Sequence, residues 1–177
     1  MGRRKIIFAC FGVFTVAALA VAAWIVLVLR SDGLVSSTSF RSDTEMIRVV
    51  SDHARDFEML RMMAQEDPLL TTVFLDQTYP ENPMTVGVSS ERIAAYRTTL
   101  RRIGSERGLL VDSTVGLFEV VDRSQGLVSN GVSKSFIYSD APLETVPSLD
   151  MKRRTSETGT WYRSTNTKAW YIKFERL

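Results

Sequence analysis

Few groups in this 177-residue sequence have chemical capacity: one His, one Cys, and 20 Asp and Glu. His53 could act as a base oriented by Asp52 or Asp56. It falls on an apolar stripe, however, and has no Ser or Cys motif to activate, which favours a packing role. No G-x-S-x-G occurs, and no S-x-x-K followed by K-T-G. Gly116, Gly126 and Gly131 are spaced for turns and strands rather than for a phosphate cradle. One Cys cannot close an internal disulfide, and one Cys with one His cannot complete a four-ligand zinc site. Paired carboxylates could do acid–base work, but such pairing is spatial, and nothing in the spacing selects one pair. The sequence therefore predicts no catalytic residue, no metal site and no cofactor, and reads as a non-enzyme.

Binding chemistry is better signalled. Residues 151–177 carry seven cations and two acids, whereas residues 31–150 carry 11 cations and 18 acids. Lys152, Arg153 and Arg154 fall in a predicted loop, where a basic cluster is free to meet a protein or an anionic headgroup. The competing reading folds this basic end against the acidic body or leaves it facing water. Tyr162 and Tyr171 would share one face of a terminal hairpin and could form an aromatic platform; the competing reading is ordinary sheet packing. Nucleic acid is excluded as a partner, because residues 31–177 are net acidic, with 18 cations against 20 acids.

The elements that must position these residues follow from periodicity. Residues 6–29 contain no charge and as a helix would extend ~36 Å, enough to cross a ~30 Å hydrocarbon core. Residues 1–5 then form a cytoplasmic N-terminus, 6–29 a transmembrane helix, 30–42 a tether and 43–177 a single domain. A cleaved signal peptide ending near Ala18-Leu19-Ala20 is the alternative, disfavoured because the apolar run continues to Leu29. Arg3, Arg4 and Lys5 before the run and Arg30 after it favour an inner-membrane protein with its N-terminus in and its domain periplasmic.

Within the domain, Ser42 and Glu45 have capping-box spacing, and Met46, Val50, His53, Phe57, Leu60 and Ala64 recur at helical intervals, predicting one helix over 43–65. Ile93, Tyr96, Leu100 and Ile103 predict a second, capped by Ser89 or Ser90 and closed by Gly104. Residues 69–75 are ambiguous between helix and strand. Residues 109–121 and 132–138 read as strands, with a turn at Asn130-Gly131. The terminal hairpin is expected to run Gly159–Arg163 and Lys168–Phe174, with Trp161 opposite Trp170. Helices first and strands later predict α+β: one N-terminal transmembrane helix, then two main helices packed on an antiparallel sheet.

SERIAAYRTTLRRIG at 90–104, GLVSNGVSKSFIYSD at 126–140, VPSLD at 146–150 and AWYIKF at 169–174 resemble a group of small bacterial membrane-anchored proteins. That group has a Y-x-x-L helix, an S-K-x-x-x-Y strand, a P-S-L-D loop and a terminal W-Y hairpin. The match spans roughly residues 90–177 and departs at Ser135-Phe136, where Gly-Tyr is expected, and at Ile172-Lys173-Phe174. It implies an arrangement of turns and strands and brings no activity.

The expected function is a protein-binding module presented at the membrane, of accessory or immunity type, with Tyr162, Tyr171, Lys152, Arg153 and Arg154 as candidate contacts. The alternatives are a carboxylate-dependent envelope hydrolase and a structural protein whose first helix pairs into a homodimer.

Overall fold

The computed structural model describes residues 40–126 and 131–177. The apolar run at 6–29 lies outside them. Among the described residues no helix is long and apolar enough to cross a membrane, and the expected fold class is corrected accordingly: the described domain is α+β, with a seven-stranded antiparallel sheet and a few helices. The helix count is corrected as well.

The expected first helix is two helices, α1 (Asp43–Asp52) and α2 (Ala54–Glu66), separated at His53, whose backbone leaves the helical region at φ −114°, ψ 23°. Ser51, Asp52 and His53 are all weak helix formers. The His53 carbonyl then accepts from the amides of Asp56 and Phe57 and so begins the second helix. The apolar stripe survives the break, because Met46, Val50, Phe57 and Leu60 are all fully buried. Ser42 and Glu45 form the expected capping box. The helix α3 (Ser90–Ile103) matches expectation, capped by Ser89 and closed by Gly104 in the left-handed conformation. A short helix α4 (Leu149–Arg153) starts at the Ser148 cap, inside a segment expected to be loop.

The strands are β1 (Thr72–Phe74), β2 (Thr78–Tyr79), β3 (Gly108–Asp112), β4 (Leu117–Gln125), β5 (Val132–Tyr138), β6 (Gly159–Ser164) and β7 (Trp170–Arg176). They form one sheet in the order β2-β1-β3-β4-β5-β7-β6. The run 109–121 is thus a hairpin rather than one strand, turning at Ser113–Gly116. Of the expected Asn130-Gly131 turn, Asn130 lies outside the described residues. Gly108 is required where β3 meets β1: its φ is 147°, and a Cβ there would come within 2.2 Å of the Val73 carbonyl.

The terminal hairpin forms in a different register, with Trp161 opposite Phe174 and Ser164 opposite Tyr171. Thr165 closes its loop, its amide and hydroxyl both donating to the Trp170 carbonyl. The shift is by an even number of residues, so each side chain keeps its expected face.

All four helices share one face of the sheet. They contribute Met46, Phe57, Tyr96 and Leu149, among others, to a core whose sheet side is Val73, Leu109, Phe118, Val120, Phe136, Trp170, Ile172 and Phe174. Phe57 lies at its centre, edge-on to Phe136 at 4.9 Å and to Trp170 at 4.8 Å between ring centroids. The alternate positions along each strand make up the opposite face, which none of these helices covers.

Candidate functional site

The face opposite the four described helices is where the sequence-predicted tyrosines lie. Tyr162 pairs across the hairpin with Lys173, and Tyr171 precedes Lys173 by two residues on β7, so both flank it on the same face. Both tyrosines are half-buried. Lys173 in turn reaches back across β5: its Nζ lies 2.8 Å from Glu119 Oε2 on β4 and 3.3 Å from Glu175 Oε2. Burial acts to lower the ammonium's pKa, but the hydrogen bonds and charges of Glu119 and Glu175 together outweigh it and the pKa is raised.

This bridge contributes to the burial of a serine on the face that none of the four described helices covers. Ser135 pairs with Val121 on one side and with Lys173 on the other, so the Lys173–Glu119 bridge passes over it. Ser135 is fully buried and its hydroxyl has no hydrogen-bond partner.

Beside the bridge is a concavity of about 530 Å³. Its floor is Glu119, Val121, Ser133, Lys173 and Glu175, and its walls come from the β1–β2 turn, Phe74–Gln77, and from Glu106 and Arg107. Glu106 pairs with Arg123 at 2.9 Å. The tyrosines, the bridge and the concavity form one continuous surface across β3, β4, β5, β7 and β6.

The basic cluster lies elsewhere. Lys152 pairs with Glu157 at 2.9 Å and stands 5.1 Å from the Trp161 ring centroid. Trp161 faces the helices, stacked on Phe174. Arg153 donates to the Phe40 carbonyl at 3.3 Å, and Arg154 caps α4 and is exposed. The structure thus brings Tyr162 and Tyr171 together and places Lys152, Arg153 and Arg154 on the helical side of the sheet. His53 lies at the helix junction, its Nδ1 3.1 Å from Asp56 Oδ2.

Sequence reasoning missed the most heavily bonded charges in the domain. Lys134 and Asp43 are each 1% exposed. Lys134 Nζ donates to Asp43 Oδ1 at 2.8 Å, to Asp150 Oδ1 at 3.0 Å and to the Arg41 carbonyl at 2.8 Å. Asp43 Oδ2 accepts from the Leu149 amide at 2.8 Å and from Arg163 at 2.6 Å. Burial alone would raise the Asp43 carboxyl; Lys134 and Arg163 instead hold it down at about 2. The only available signal was a lysine within an otherwise apolar-facing strand register, Lys134-Phe136-Tyr138.

Asp122, fully buried at a β-bulge in β4, behaves in the opposite way. The Arg41 guanidinium stands 3.0 Å from its Oδ1, but not aligned for a hydrogen bond, and neither carboxylate oxygen has a hydrogen-bond partner. Burial therefore prevails over Arg41 and Arg123, and the carboxyl is pushed up to about 6. Arg41 spends its hydrogen bonds on the α3 terminus, donating to the Gly104 carbonyl at 2.8 Å.

Among the described residues, no group of three or more His, Cys, Asp or Glu is arranged to hold a metal ion. Comparison of the chain with protein-family models, with curated proteins and with solved structures returns no match.

Proposed function

We propose that this protein is a binding module that captures another protein through the uncovered sheet face, displayed on the outer side of the bacterial cytoplasmic membrane in an accessory or immunity-type role. The observation that carries the reading is the pair Tyr162 and Tyr171 flanking Lys173 on a face that none of the four helices covers. Half-buried tyrosines offer large, rigid, amphipathic contact area at low entropic cost. The uncharged run at 6–29 and the cations before it support the location.

The hydrolase alternative fares less well. Glu119 and Glu175 both approach the same ammonium, an arrangement that disfavours this particular pair as acid and base on either side of a scissile bond.

The test is crosslinking in cells that express the tagged full-length protein, followed by membrane solubilisation and identification of what copurifies. Tyr162→Ala/Tyr171→Ala is expected to lose a specific protein that Lys152→Ala/Arg153→Ala/Arg154→Ala retains. A partner indifferent to the tyrosines refutes the reading.

A further inference from the structure

We infer that Asp122 is a proton-operated catch on the segment Phe40–Ser42, where residues 1–39 join the domain: neutral Asp122 leaves the segment clamped, and the Asp122 carboxylate loosens it. The inference stands apart from the binding reading above.

Four elements hold the segment. Arg153 on α4 donates to the Phe40 carbonyl at 3.3 Å, and the Phe40 ring sits edge-on to Phe174 of β7 at 6.4 Å between centroids. Lys134 on β5 donates to the Arg41 carbonyl at 2.8 Å. The Arg41 guanidinium donates to the Gly104 carbonyl at the end of α3, packed so closely that a Cβ at residue 104 would come within 2.6 Å of it.

Asp122 is the ill-fitting part of this clamp. It is fully buried, 3.0 Å from Arg41, and neither of its oxygens has a hydrogen-bond partner. A carboxylate held so is costly, and two movements relieve it. Arg41 turns its donors onto Asp122 and gives up Gly104, or Arg41 swings out and admits water. Both break the Arg41–Gly104 bond.

No other neighbouring charge removes the conflict. Arg123, next along β4, has its Nε 3.9 Å from Asp122 Oδ2, and it is paired with Glu106, whose own charge disfavours the Asp122 carboxylate. Lys134 is committed to Asp43 and Asp150. Burial therefore prevails over Arg41, Arg123 and Lys134, and the carboxyl is pushed up to about 6 from 3.8. A group whose pKa is higher clamped than hydrated favours the clamp while protonated. The clamp is thus tightest below pH ~4 and weakens as pH rises through ~6.

The experiment is limited trypsin digestion of the full-length protein in a zwitterionic detergent at pH 5 to 7.5, with the fragments quantified by mass. Trypsin must draw the Arg41 side chain into its own specificity pocket, so cleavage after Arg41 reports release of the clamp. Cleavage after exposed Arg154 in the same sample corrects for the protease's own pH dependence. Cleavage after Lys134, 1% exposed, reports unfolding of the whole domain. The Arg41-to-Arg154 ratio is expected to rise about tenfold from pH 5 to 7.5, with the Lys134-to-Arg154 ratio lagging behind it. Asp122→Asn should hold the Arg41 ratio flat at its acid value. If that variant misfolds, the wild-type carboxyl is followed by carbon NMR and should share its midpoint with the Arg41 ratio. A ratio that ignores pH, a rise that persists in Asp122→Asn, or Arg41 and Lys134 cuts that rise together overturns the inference.

Discussion

Replacing Lys134 by Met tests the buried charge network most directly. Met preserves most of the side chain's length and removes the ammonium. Three acceptors lose their donor: Asp43 Oδ1, Asp150 Oδ1 and the Arg41 carbonyl. Breaking a buried ion pair from one side costs ~3–5 kcal/mol, because the surviving charge is left without its counterion. Here Arg163, 2.6 Å from Asp43 Oδ2, and the Leu149 amide, at 2.8 Å, stay in place. The loss should therefore sit near the lower end, about 3 kcal/mol at pH 7. The pH dependence supplies an independent signature. The Asp43 carboxyl is held at about 2 against an ordinary 3.8. A depressed carboxyl stabilises the fold above its unfolded pKa, so about 2.5 kcal/mol is fully present above pH ~4 and is lost as pH falls through ~2. Without Lys134 that carboxyl titrates at higher pH, so the gap between wild type and variant should narrow on acidification. Urea unfolding of the full-length protein, followed by the fluorescence of buried Trp170, measures both quantities. The double variant Lys134→Met/Asp43→Asn removes the stranded charge and should recover at least ~1 kcal/mol. A single-variant loss below ~1 kcal/mol, or a gap that does not change with pH, refutes the reasoning.

Three further outcomes follow from the same geometry. The Asp122 carboxyl, pushed up to about 6 from an ordinary 3.8, stabilises the fold below pH ~4 and loses that contribution as pH rises through ~6, by about 3 kcal/mol at most; Asp122→Asn should flatten urea-unfolding stability across this window. Ser135→Ala should be neutral or stabilising by a few tenths of a kcal/mol, since the hydroxyl has no partner, whereas Ser135→Leu beneath the Lys173–Glu119 bridge should cost ~1–3 kcal/mol; thermal melts of both settle the comparison. Gly108→Ala, whose Cβ would lie within 2.2 Å of the Val73 carbonyl, should cost at least ~2 kcal/mol in the same assay.

Local signals were readable in the sequence where one residue type has one job. Ser42 with Glu45, Ser89, and Gly104 marked helix ends that the structure keeps. The apolar intervals of α1 to α3 marked the residues that became core. The break at His53 was hidden because the stripe runs through it unchanged; the backbone leaves the helix while the apolar face does not. The hairpin's faces were legible from alternation, but its register depended on Thr165 bonding to Trp170, a loop contact that periodicity does not encode. The separation of Tyr162 and Tyr171 from Lys152–Arg154 was equally hidden, since proximity in sequence says nothing about which side of a sheet α4 occupies. The Lys134 network draws on residues up to 120 positions apart, and no local rule reaches that far.

That reach has a consequence for how the molecule is made. Asp43 opens α1, and its partners Lys134, Leu149 and Arg163 come 91, 106 and 120 positions later. Synthesis runs from the N-terminus, so α1 emerges from the ribosome with its aspartate in water and waits for nearly the whole domain before that charge can be enclosed. The first helix is thereby among the last elements to be locked. A chain cut short before Arg163 would not simply fray at its end; it would also lose one of the bonds that hold Asp43 at its beginning.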